Sequence, residues 1–104
     1  MCKQISTEYV LGSVLYYKPT GVTLSYLRNL EREIYNSNSD LILDFSKSTI
    51  ISVLDSCDQY FKYENDLLLL HSYYMDNLDR IKNRFVDVLD ATFKDIITSV
   101  IFND

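Results

Sequence analysis

Of its 104 residues the chain has no tryptophan, one proline, two glycines, one histidine and two cysteines. Each scarcity removes a class of chemistry. Gly12 and Gly21 stand alone, outside any Gly-rich signature, so no loop is expected to cradle phosphates with bare backbone, and a nucleotide enzyme is not indicated. His71 is the sole histidine, which excludes a histidine-based zinc cluster and a two-histidine acid–base pair. Cys2 and Cys57 lie far apart, one of them beside the N-terminus. That is no disulfide framework; both read as free thiols in a reducing cytoplasm. The longest purely apolar run is Leu67 to Leu70, against the roughly 20 residues a helix needs to cross a bilayer. The opening Met1-Cys2-Lys3-Gln4-Ile5 has no apolar signal core, so neither secretion by a standard signal nor a membrane span is expected.

What is abundant is equally informative. Hydrophobic residues make up 47% of the chain and nine tyrosines are present, the opposite of a composition that keeps a chain disordered. The length suits one domain, residues 1–104, with one core and no need of metal or disulfide support. Fifteen acidic against ten basic residues give a net charge of −5, which repels phosphate at long range and favours a basic protein partner over nonspecific nucleic-acid binding.

Lys18-Pro19-Thr20-Gly21 is the strongest turn signal, because proline presets a turn and glycine relaxes it. Tyr9 to Tyr17 and Val22 to Leu27, on either side, are rich in β-branched and aromatic residues. They predict a β-hairpin. A helix starting at Thr23 is the competing reading, since Leu24, Leu27, Leu30 and Ile34 also fall near helical spacing. The polar cluster Asn36 to Asp40 introduces a short strand, Leu41 to Phe45. Ser46 or Ser48 then caps a helix with Ile50, Leu54, Cys57 and Phe61 on its apolar stripe. Tyr63 to Asp66 reads as a break or cap before a second helix, Leu67 to Tyr74. A third helix from Asn77 to about Phe93 places Leu78, Ile81, Phe85, Val88, Leu89 and Thr92 on one face. Ile96 to Phe102, dominated by β-branched residues, is expected as a strand. The expected fold is therefore α+β: an N-terminal β-hairpin or small sheet, three helices and a C-terminal strand. A small all-α bundle is the alternative.

This order resembles winged helix-turn-helix domains of the ToxR and OmpR type. Val14 to Ser25 resembles their opening hairpin, Leu41 to Cys57 the strand leading into the first helix, and Tyr60 to Leu70 the link into the second. Asn77 to Leu89 resembles the third helix, and Asp95 to Val100 the start of the wing. The resemblance implies a regulator of gene expression, bacterial or phage-like, whose third helix enters the DNA major groove through Arg80, Lys82, Asn83 and Arg84. The tryptophan common between helices two and three is absent, as is the basic close of the wing. A weaker resemblance, through Asp40 to Ile51, is to the anti-sigma-factor antagonist (STAS) fold, which implies Ser46 or Ser48 as a phosphorylation site; a helix-capping serine accounts for the same residues.

The same third helix carries Asp76, Asp79, Asp87 and Asp90 opposite its apolar face. A phosphate-lined groove is normally met by Lys and Arg, so these four residues are candidates for docking on a basic protein surface. They lack the Gly-centred spacing of a calcium loop and a histidine partner, and no metal, cofactor or small-molecule substrate is expected. Cys57 lies on an apolar stripe, the setting of an inert thiol, and would pair with His71 only if folding brought them together. No nucleophile, base and oxyanion-donor set can be drawn, so the chain is not expected to be an enzyme. Two functions remain: a regulator acting through DNA, a protein partner or both, and an inhibitor-like or antitoxin-like acidic interaction module. The surplus of tyrosines suits a partner surface in either case, including a second copy of the chain.

Overall fold

The computed structural model describes residues 3–4, 6–37 and 41–102. Strand β1 (Lys3–Gln4) precedes helices α1 (Thr7–Tyr17) and α2 (Leu24–Ser37); strand β2 (Leu41–Ile42) then leads into α3 (Lys47–Ser56). Strands β3 (Phe61–Glu64) and β4 (Leu67–Leu70) come next, then the short helices α4 (Ser72–Met75) and α5 (Leu78–Ile81). A π-helical turn, Lys82–Val86, and helix α6 (Ala91–Ile101) complete the order. β1 pairs with β2 in parallel, and β3 with β4 in antiparallel register.

The segment expected as the first arm of a hairpin is the central helix. Val10, Leu11, Val14 and Leu15 of α1 are all fully buried, and Gly12 and Ser13 are buried with them. A helix enclosed on every side needs no amphipathic pattern, and its run of β-branched and aromatic residues is indistinguishable from a buried strand by periodicity. The turn at Pro19 is real, but it joins two helices. Lys18 caps α1 and Gly21 donates to the Lys18 carbonyl at 3.0 Å. Gly21 has a φ of 111°, a conformation that side chains disfavour. Thr23 then caps α2, its hydroxyl accepting the Tyr26 N–H at 3.1 Å. The helix that begins after Thr23 buries Leu27, Leu30 and Ile34.

The hairpin lies later in the chain. Asn65 and Asp66 have φ of 54° and 63°, the pair of left-handed residues that a two-residue turn of type I′ demands. The turn reverses β3 into β4 with Phe61 opposite Leu70 and Glu64 opposite Leu67. Leu68 also exchanges two backbone hydrogen bonds with Val22, at 2.8 and 2.9 Å. The inter-helix link is thereby tied to the inner strand. The helix expected over Leu67 to Tyr74 is thus β4 followed by the single turn α4.

At the C-terminal end the expected strand is helix α6, with Phe93, Ile97 and Ile101 buried at helical spacing. It packs on α2. Asp90 caps α6 by accepting the Phe93 N–H at 2.9 Å. The expected long third helix is broken instead: α5 passes into the π-helical turn, which ends at Val86. Residues 87–90 are turn and extended backbone rather than helix, so Ile81, Phe85 and Leu89 are buried while Val88 is 55% exposed and Thr92 is exposed. The arrangement of hairpin, three helices and closing strand is therefore corrected at both ends, and the register of the winged-helix resemblance with it. The fold is mostly helical with one antiparallel hairpin, which also departs from an all-α bundle.

The helix expected after Ser46 is present as α3, with Ser46 at the N-cap position but making no side-chain bond to the helix backbone, and with Ile50 and Val53 buried. It ends sooner than expected: Cys57 is its C-cap and Phe61 belongs to β3. The Asp44 carboxylate accepts the Ser46 N–H at 2.9 Å and the Thr49 hydroxyl at 2.7 Å, and those bonds hold it below the usual carboxylate range. The Ser46 hydroxyl donates to Thr49 at 3.0 Å. Part of the polar cluster, residues 38–40, and Cys2 lie outside the described residues.

Candidate functional site

The π-helical turn owes its place to Gly12. A Cβ at position 12 would stand 2.2 Å from Cγ of Phe85 and 2.5 Å from its Cβ, so only glycine lets the turn approach α1 this closely. The Phe85 ring is fully buried. It sits edge-on to Tyr60 at 5.3 Å between ring centroids, tilted against Phe61 at 5.2 Å and against Tyr9 at 6.2 Å. This anchor fixes where the neighbouring charged residues emerge.

Arg80, Lys82, Asn83 and Arg84, expected to read DNA, are all exposed, and three of them are already engaged. The Arg84 guanidinium lies 5.2 Å from the Phe85 ring centroid and 5.8 Å from that of Tyr9. The nearby hydroxyls of Tyr9 and then Tyr60 raise it above its ordinary value. Arg80 lies 5.8 Å from the Tyr73 ring. Lys82 is paired to Asp87 at 3.2 Å, the bond that raises the lysine.

Among the expected docking residues, Asp87 is taken by Lys82 and Asp90 by the cap of α6. Asp76 and Asp79 are exposed and make no ion pair or side-chain hydrogen bond among the described residues. The structure therefore brings both expected sets onto one exposed stretch of surface, with three cations in contact with other side chains of the chain and two carboxylates without an ion pair among the described residues.

Cys57 and His71 do not meet. The Cys57 thiol faces Glu8 at 3.5 Å, and burial, with that carboxylate beside it, pushes it up to about 11. A thiol so held is protonated near neutrality and a poor nucleophile. The His71 ring instead bonds the Asp58 carbonyl at 2.8 Å. Among the described residues no group of three or more His, Cys, Asp or Glu side chains could hold a metal ion, and no helix is long and apolar enough to cross a membrane.

One surface was not foreseen. Arg28 and Arg32, one helical turn apart on α2, are exposed and have no ion pair, hydrogen bond or ring contact among the described residues. With Thr23, Ser25, Tyr26 and Asn29 they line an open groove of about 480 Å³. Lys18 lies over the Tyr26 ring, its Nζ 5.4 Å from the centroid. The signal was available: the strong amphipathic pattern of α2 that buries Leu27, Leu30 and Ile34 also turns these two arginines outward together. Comparison with family models, with curated proteins and with solved structures finds nothing that matches this chain.

Proposed function

We propose that this chain is a small regulatory binding module of the cytoplasm, acting in control of gene expression through a protein partner and without catalysis, and that its residues 76–90 dock on a basic site of that partner. The supporting observation is that the exposed Arg80, Lys82 and Arg84 each already lie against a ring or carboxylate of this chain, whereas Asp76 and Asp79 are exposed with no ion pair among the described residues. Arginines that read DNA reach phosphate or guanine edges, and Arg84 would first have to leave its two rings. Outward carboxylates steer encounter with a positive surface and suppress wrong partners. A free, buried Cys57 suits a reducing compartment.

Association with an arginine-rich peptide and with random duplex DNA, each measured over a range of salt, tests this reading. Asp76→Asn with Asp79→Asn should slow association with the peptide and weaken the complex, because surface charge acts mainly on encounter. Duplex binding that Arg80→Ala with Arg84→Ala abolishes and the double Asn variant strengthens would overturn docking in favour of DNA recognition by this face.

A further inference from the structure

We propose that the outer ridge of α2 is a binding site for single-stranded nucleic acid. Projected at about 100° per residue, Ser25, Arg28, Asn29, Arg32, Tyr35 and Asn36 share one ridge, and all six are exposed. No carboxylate lies on it, in a chain whose net charge is −5. Arg28 and Arg32 stand about 6 Å apart along the helix axis, and their guanidinium groups have no internal partner among the described residues. Two cations unpartnered among the described residues thus line one open trough, with Thr23, Ser25, Tyr26 and Asn29 beside them.

Such a trough complements a polyanion, and the remaining side chains narrow its class. Tyr35, 56% exposed, offers a ring on which a base can stack, and Asn29 and Asn36 offer amides to base edges. Cationic tracking of the backbone combined with aromatic stacking is the mode by which single strands are held without sequence preference. An acidic peptide would use the arginines and leave the ring and amides idle. Duplex DNA is disfavoured by the flanks. Glu31 and Glu33 project to opposite sides of the ridge, where a helix seated in a major groove about 12 Å wide would press them against both phosphate walls. A single strand lying along the ridge meets neither. The site is on a different element from residues 76–90 and does not depend on the docking reading.

Fluorescence anisotropy of a labelled oligothymidylate with the full chain tests the proposal. Binding should weaken with salt at a logarithmic slope of about −1.4, the value for two phosphate contacts on a single strand. Arg28→Ala with Arg32→Ala should weaken binding about tenfold and bring the slope close to zero. Arg28→Lys with Arg32→Lys should keep the slope, and Tyr35→Ala should weaken binding with the slope unchanged. Arg80→Ala with Arg84→Ala removes the same charge elsewhere and should leave binding as it is. Absence of binding at low salt would overturn the proposal, as would equal losses in the two arginine-to-alanine pairs. So would tighter binding of a duplex, or of polyglutamate, than of the single strand.

Discussion

Two pairs of arginines, Arg80 with Arg84 and Arg28 with Arg32, are each spaced four residues apart and each exposed, yet their surroundings differ. Arg84 lies over Tyr9 and Phe85, and Arg80 lies beside Tyr73. Arg28 and Arg32 face solvent with no aromatic or acidic neighbour in contact among the described residues. The first pair belongs to the chain's own packing; the second is available to something else. Spacing and exposure therefore do not identify a binding arginine. What decides is whether the guanidinium already has a face to lie on, because a cation over an aromatic ring gains about 0.5–1 kcal/mol at an exposed site, and a ligand must exceed that.

The contrast rests on the Gly12–Phe85 anchor, and breaking the anchor should have the largest effect. Phe85→Ala should cost about 3–5 kcal/mol of folding stability by urea denaturation, and a loss below about 1 kcal/mol would show that the ring does not hold the turn. Gly12→Ala comes next. Alanine ordinarily stabilises a helix by about 1 kcal/mol relative to glycine, but here the new methyl meets the Phe85 ring. The sign should reverse to a loss of about 1–3 kcal/mol, and Phe85→Leu in the same chain should return part of it.

Asp90→Ala should cost about 1 kcal/mol through loss of the α6 cap, while Asp90→Asn, which also caps, should melt close to the natural chain. A thermal scan of the two separates capping from charge. Arg84→Ala should then lose about 0.5–1 kcal/mol, and Arg28→Ala should stay within about 0.5 kcal/mol of the natural chain. Equal losses at Arg84 and Arg28 would erase the distinction between the two pairs.

Legibility in the sequence varies with the kind of burial. The helix after Ser46 is readable because Ile50 marks one buried face and a serine stands at its start, although the Ser46 hydroxyl bonds Thr49 rather than the helix backbone. α1 is not, since burial on all sides removes the pattern that separates helix from strand. β4 is hidden because Leu67 to Leu70 has no polar alternation, although its side chains alternate between half-buried and buried, and Asn65-Asp66 reads as readily as a helix cap as it does as a tight turn. At α6, strand propensity competes with the spacing of Phe93, Ile97 and Ile101, and packing on α2 overrides it. Of the candidate site, the exposure of the 76–90 charges is legible. The rings against Arg80 and Arg84 are not, because Tyr9 and Tyr73 lie outside that segment.

The notch at Gly12 also bears on how the molecule forms. It joins a helix near the start of the chain to a turn near its end, so the contact closes only after most of the polypeptide has been gathered in, and long loops are costly to close early. Interactions of that kind are expected to be absent from the folding transition state. A residue that crowds the notch should then leave the refolding rate nearly unchanged and accelerate unfolding. Gly12 would in that case act as a latch whose quality sets how long the folded chain lasts rather than how fast it is made.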